Sequence, residues 1–300
     1  MEVILYKSFR ILPLFIFKLT TMNIPVNLTE FLYWVKDRTE KLWSVDDENC
    51  PKGFYGARWQ GLSEEQIDQV EKKYQVSFTS EHREFLKILH AIDKKEIVEY
   101  EDEGELITEE YTFFYNWLEN EEEIKKILNT PYDWMLDDID SVNKVWLKSW
   151  GIKPASLEKR KEIFDEWFSH VPTLLPLMGT RYIISDVDLV WRPVLSIRGS
   201  DIVIMGWDFR TYLLNELRGY LDIHIDVFDE EDQMFYLELI DEVQQIFNEN
   251  YKYDETKDIP YLKEMILYWS SGWSSFGLSY HPENARVHPI VKTYIAEEEK

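Results

Sequence analysis

Residues 59–93 constrain this chain more than any other stretch, because they spell out a helix, an extended link and a second helix with the end signals in place. Ser63 stands before Glu64, Glu65 and Gln66. In that arrangement the serine hydroxyl accepts from the Gln66 amide while the Gln66 side chain reaches back to the Ser63 amide. Ile67, Val70 and Tyr74 follow at helical spacing and give the first helix one apolar stripe. Val76, Ser77 and Phe78 alternate as an extended segment does, and Thr79 or Ser80 can cap a second helix carrying Phe85, Leu86, Ile88, Leu89 and Ile92. The pair is a packing frame whose stripes need a sheet to cover.

The strand-rich part of the chain supplies that sheet. Leu174-Leu175-Pro176-Leu177, Arg181-Tyr182-Ile183-Ile184, Pro193-Val194-Leu195-Ser196-Ile197 and Ile202-Val203-Ile204-Met205 are short apolar or β-branched runs separated by turn chemistry. The separators are Gly179-Thr180, Asp186-Val187-Asp188 and Arg198-Gly199-Ser200. Short, closely spaced strands point to a small antiparallel or mixed sheet. Asp208 can cap a following helix with Phe209, Tyr212, Leu213 and Leu217 on one face. Helices packed against one small sheet make the expected class α+β.

The order Gly61-Leu62-Ser63-Glu64-Glu65-Gln66-Ile67, then Glu71 and Tyr74, then an aromatic before Glu81-His82-Arg83-Glu84-Phe85-Leu86-Lys87, resembles the opening of the Smi1/Knr4 (SUKH) superfamily. The resemblance returns in Val171-Pro172-Thr173-Leu174-Leu175-Pro176-Leu177 and in the strands from Pro193 to Gly206, and covers residues 59–217. The chain departs from the family where a proline usually precedes the second helix, here Thr79, and where Asn-Gly often closes it, here Ile92-Asp93. The resemblance implies a SUKH-like α+β domain of the bacterial type. Bacterial members bind and neutralise toxin domains, whereas fungal members are regulatory scaffolds.

Around this frame the chain divides into residues 1–21, a domain over 22–220 with an acidic insert at 93–130, and a helical extension over 221–300 packed on the same domain. In the first segment the apolar run Ile11 to Phe17 lies between Arg10 and Lys18, too short for a membrane span. It resembles the centre of a leader without a small-residue cleavage site, and Met22 offers an alternative start. Asn27 or Thr29 can cap a leading helix with Leu28, Phe31, Leu32 and Val35. A short helix from Glu119 to Leu128 is expected to stop before Pro131. Trp146 and Trp150 fall on one helical face, and Ser156 can cap a helix with Leu157, Ile163, Phe164 and Trp167. Long helices are expected over 230–249, with Phe235, Leu239, Val243, Ile246 and Phe247, and over 259–269, with a charged end at residues 297–300.

Acidic residues number 57 against 33 basic, a net charge of −24 and a pI near 4.6. Such a field repels phosphate backbones and speeds encounter with a basic protein, although it also serves plain solubility. The single Cys50 forms no internal disulfide and fits a reducing, cytoplasmic setting. Gly272-Trp273-Ser274-Ser275-Phe276-Gly277 has one residue too many for a nucleophile elbow, and no Lys-Ser/Thr follows it as in a phosphate loop. The six histidines include no H-E-x-x-H, and Asp186 with Asp188 lacks basic companions to hold a metal–phosphate pair. A non-enzymatic protein-binding domain is therefore expected, without cofactor or metal, nucleic acid or membrane partner, and with its oligomeric state unassigned. The partner is a basic protein such as a toxin domain, for instance a nuclease, and the alternatives are a scaffold for a signalling partner or an uncharacterised enzyme. Its contacts are expected from Glu101, Asp102, Glu103, Glu109, Glu110 and Tyr111 of the insert and from Asp186, Asp188 and Trp191 beside the sheet. The insert's interleaved aromatics either join that surface or turn into the core.

Overall fold

The computed structural model describes residues 22–102 and 104–278. Residues 1–21, Glu103 and the charged end at 297–300 lie outside the described residues. Helix α1 (Leu28–Trp43) begins where Asn27 accepts from the Glu30 amide at 3.1 Å. Strand β1 (Trp59–Gln60), helix α2 (Glu64–Tyr74), helix α3 (Ser80–Leu89) and strand β2 (Ala91–Ile92) form the expected unit. Both halves of the Ser63–Gln66 capping box are made, and Thr79 caps α3. Ile92 is not on the second helix; it pairs with Trp59, so β1 and β2 tie the two ends of the unit together. Gly61 lets this clasp close, because a Cβ there would stand 1.9 Å from the Lys87 carbonyl oxygen.

An outlying hairpin follows, β3 (Glu96–Asp102) and β4 (Glu105–Tyr111), then α4 (Glu121–Asp140) and α5 (Leu157–Phe168). The central sheet runs β5 (Leu174–Met178), β6 (Arg181–Ile184), β7 (Val194–Arg198) and β8 (Asp201–Gly206), an antiparallel meander in sequence order. Helix α6 (Phe209–Glu216) starts at Asp208, which accepts from Thr211 N at 2.7 Å. A second hairpin, β9 (His224–Asp229) with β10 (Met234–Leu239), precedes α7 (Asp241–Asn250), α8 (Leu262–Tyr268) and a closing 3-10 helix, Ser270–Phe276. The fold is α+β.

The sheet is buried on both faces, as its successive side chains show. Leu175, Leu177, Ile183 and Val194 face a core built with α1, α2, α3 and α6. Leu174, Tyr182, Ile184, Leu195, Ile197, Ile202 and Ile204 face a second core built with α4, α5, α8 and the closing 3-10 helix.

Three further expectations are corrected. Pro131 does not end the helix but sits buried within α4. Proline there leaves the Ile127 carbonyl without its helical donor. The Tyr182 hydroxyl donates to that carbonyl at 3.1 Å, and burial pushes the phenol pKa well up, keeping the proton in place. Trp146 and Trp150 do meet, with ring centroids 5.1 Å apart, but across a 3-10 turn, Lys148–Trp150. The helix expected from Glu230 begins only at Asp241. Asp229 accepts from the amides of Glu231 and Asp232 at 2.7 and 3.0 Å, and Gln233 takes φ +54°. That turn sends Phe235 and Leu239 back along β9, and the helical spacing of these two residues with Val243 was coincidence.

Tyr182→Phe is expected to cost ~1–2 kcal/mol in urea unfolding, the penalty of an unmatched buried carbonyl. Pro131→Ala restores a backbone donor to Ile127 and should recover most of the loss in the double variant. Equal costs of Tyr182→Phe with and without Pro131→Ala would show that the bond does not replace the missing helical one.

Candidate functional site

The acidic insert folds as a two-stranded ribbon whose register sorts its side chains into two faces. Opposite pairs in an antiparallel ladder share a face. Glu96–Tyr111, Val98–Glu109, Tyr100–Ile107 and Asp102–Glu105 therefore lie on one side, and Ile97–Glu110, Glu99–Thr108 and Glu101–Leu106 on the other. The first face carries a small cluster in which the hydroxyls of Tyr100 and Tyr111 both donate to the Glu109 carboxylate. Those bonds raise both phenol pKa values, so the tyrosines remain neutral donors. Tyr100, Leu106 and Tyr111 are exposed.

The base of the ribbon is fixed to the preceding loop. Ile97 donates its amide to the Lys52 carbonyl at 2.8 Å, and Lys52 pairs with Glu99. Gly53 is required here: at φ +93°, a Cβ would stand 2.3 Å from the Lys95 carbonyl oxygen. Lys95 bridges Glu110 at 3.2 Å. Toward the tip Glu101, Asp102 and Glu105 are exposed, and Asp102 faces Glu105 directly, a like-charge pair that makes the local potential more negative. Glu103, expected at this site, lies outside the described residues.

The insert's aromatics divide between the two expected arrangements. Tyr100 and Tyr111 stay on the ribbon, whereas Phe113, Phe114, Tyr115 and Trp117 turn into the first core. Phe113 packs on Phe54 at 6.1 Å and on Tyr220 at 5.9 Å, anchoring the end of β4.

Asp186, Asp188 and Trp191 belong to a different surface element, the loop between β6 and β7. Asp186 accepts from the Asp188 amide at 3.0 Å, a turn built from the aspartate's own neighbours. The loop is held by Ser185, bonded to the Ser77 carbonyl, and by Arg192, 2.6 Å from Glu81. Trp191 is half-buried: its ring meets Trp207 at 5.6 Å and lies under the Lys257 ammonium at 5.5 Å. It lines a cleft of about 500 Å³ with Asp208, Arg210, Lys252 and Lys257. The ribbon residues are thus brought together with one another and not with the loop residues.

Of the residues weighed for a nucleophile, Ser275 has a structural duty. In the closing 3-10 helix, Ser275 Oγ accepts from the Ile204 amide at 3.0 Å, and the Ser275 carbonyl accepts from Trp207 Nε1 at 2.7 Å. Among the described residues no group of three or more His, Cys, Asp or Glu side chains is arranged to hold a metal ion. No described helix is long and apolar enough to cross a membrane. His281 and His288 lie outside the described residues.

The surface that sequence reasoning missed is the β9–β10 hairpin, which exposes Ile225, Phe228, Met234, Phe235, Tyr236 and Leu237. The acidic run from Asp229 to Asp232 between two apolar, aromatic-rich runs was its available signal. No family model, curated protein or solved structure matches the chain.

Two histidines are core groups with a measurable consequence. His82 is fully buried among Phe78, Phe85 and Phe209, neither ring nitrogen has a hydrogen-bond partner, and burial, helped by nearby His90, lowers its pKa to about 3. His90 accepts from the Trp117 amide at 2.9 Å, and burial lowers its pKa to about 4. Both are neutral when folded and protonate when unfolded below pH ~6.5. Their stabilising contribution is present above that pH and is lost as pH falls toward the folded values. Unfolding free energy should drop by ~2 kcal/mol per histidine between pH 7 and pH 5. His82→Phe should remove about half of that dependence, and an unchanged slope would contradict the assignment.

Proposed function

We propose that this chain is a non-enzymatic protein-binding domain that captures a basic protein partner, and that the β3–β4 ribbon is its contact surface. The observation that carries the reading is the ribbon's composition in its observed geometry. Between residues 96 and 111 there are eight acidic residues and no Lys or Arg, and exposed Tyr100 and Tyr111 stand within the same structure. Carboxylates at this density accelerate encounter with a positive surface and set which partner is accepted. The tyrosines supply rigid contact area once the partner is docked. Lys52 and Lys95 each engage one carboxylate at the base, leaving Glu101, Asp102 and Glu105 toward the tip for the partner.

The likeness of residues 59–217 to the Smi1/Knr4 superfamily suggests the kind of partner: a toxin domain, for instance a nuclease, neutralised in the cytoplasm by occupation of its basic groove. Asp186, Asp188 and Trp191 would touch such a partner only as a second, separate patch.

The test is retention of a partner from the source organism by the intact chain and by the Glu101→Gln, Asp102→Asn, Glu109→Gln, Glu110→Gln variant. The intact chain is expected to retain a basic protein with affinity that weakens as salt rises, and the variant to bind it at least tenfold more weakly. Identical retention and salt resistance in both would sink the reading. Loss on Asp186→Asn with Asp188→Asn instead would move the contact to the loop beside the sheet.

A further inference from the structure

The β9–β10 hairpin exposes six large apolar side chains, against three on the β3–β4 ribbon. Leu237 is 71 % exposed, Phe235 67 % and Met234 58 %, values unusual for such side chains in one small element. Its register places Met234, Tyr236 and Val227 on one face and Phe235, Phe228 and Leu237 on the other, so both faces are apolar. Among the described residues its strands pair only with each other, leaving two outer edges with unpaired backbone groups. A lone two-stranded ribbon is marginal in water, and the Phe228–Phe235 contact at 5.0 Å is modest compensation.

The hairpin also shares a root with the acidic ribbon. Phe113 follows β4, Tyr220 precedes β9, and their rings meet at 5.9 Å. Tyr220 has its pKa raised to about 12 by burial and by the charges of Glu96, the first residue of β3, and Glu216. Residues 224–239 carry six acidic side chains, Asp226, Asp229, Glu230, Glu231, Asp232 and Glu238, and no Lys or Arg. Two acidic hairpins thus spring from segments in contact through Phe113 and Tyr220, the first rich in carboxylates and the second rich in exposed apolar side chains.

We infer that the β9–β10 hairpin is the second half of the docking surface and that its occupant is an extended segment of the basic partner, with apolar residues flanked by Lys or Arg, added as a third strand along a hairpin edge. This rests on the reading of the chain as a binder of basic proteins and names the part of the partner that is recognised. Strand addition satisfies the open edge, apolar side chains cover the apolar faces, and cationic flanks meet the acidic turn. Charge decides against a second copy as occupant, because pairing two such hairpins would set six acidic side chains of one span against six of the other with no Lys or Arg in either.

The test uses the full chain and three labelled peptides: Lys-Lys-Val-Phe-Ile-Val-Lys-Lys, octalysine, and the first peptide with glutamates for its lysines. By fluorescence anisotropy the first should bind at least tenfold tighter than octalysine, and the acidic peptide should not bind. Phe235→Ser with Leu237→Ser, both at exposed positions, should reduce the first peptide to the octalysine level. Equal binding of octalysine, or no effect of these substitutions, overturns the inference. So does a dimer in sedimentation that the same substitutions abolish, which would assign the hairpin to a second copy. Outer-edge amides of β9 and β10 already protected from hydrogen exchange in the free monomer would assign it to the chain's own terminal residues. Partner retention that depends on β3–β4 but not on Phe235 and Leu237 would leave the protein-binding reading standing and remove this one.

Discussion

Burial of the central sheet on both faces is the constraint on which the other elements depend. A sheet covered on one side alternates apolar with polar residues, whereas Tyr182-Ile183-Ile184 places successive apolar side chains in opposite cores. Each face then requires its own cover. The helix pair α2 and α3 contributes to one, with Ile67, Val70, Phe85 and Leu89, and α8 contributes to the other, with Leu262, Met265 and Ile266. The segment after residue 220 therefore closes a core of the domain and is not an appendage to it. Ser275 makes the closure specific, because its hydroxyl satisfies the Ile204 amide within β8.

Polar groups inside this double core are matched over long sequence distances. Tyr182 donates to the carbonyl that Pro131 leaves open in α4, and Asp138 of the same helix accepts from both the amide and the hydroxyl of Ser200 at 2.7 Å. Each bond is modest in isolation, about 1 kcal/mol, but leaving either group unmatched costs more than the bond gains. Helix α4 is consequently held in register on the sheet by bonds to β6 and to the turn between β7 and β8 as well as by packing.

This separates what the sequence made legible from what it did not. Asn27, Ser63, Thr79, Ser156 and Asp208 all cap the helices expected of them, because a cap is decided within three residues. The four central strands were legible because glycine and aspartate turns separate them. Pro131 was misjudged because its compensating donor, Tyr182, lies 51 positions further along the chain and becomes its neighbour only when the sheet is in place. The β9–β10 hairpin was hidden by Phe235, Leu239 and Val243, whose spacing suits a helix although Asp229 directs a turn. At the candidate site, composition located the carboxylates of the insert but not their sorting onto two faces. Trp191 was singled out for its place with Asp186 and Asp188 in the sheet's turns, and its packing beneath Lys257 depends on the segment after α7.

Charge distribution sharpens what the net value of −24 means. At physiological salt a field is screened within about 8 Å, so a partner senses local density and not the total. On the body of the domain many carboxylates are matched: Arg83 joins Glu64, Asp68 and Glu71 across α2 and α3, Lys36 and Arg58 meet Glu40, and Arg181 meets Glu216. Those acids each have a basic partner within 3.2 Å and so contribute less outward potential than unmatched ones. The two hairpins differ, with fourteen acidic residues and no Lys or Arg within their own spans at 96–111 and 224–239. Folding them as narrow ribbons places that charge away from the apolar cores, where desolvation would penalise it, and near a common root. The unmatched acidity of the described chain is thus concentrated on these two hairpins, which also expose Tyr100, Tyr111, Phe235 and Leu237.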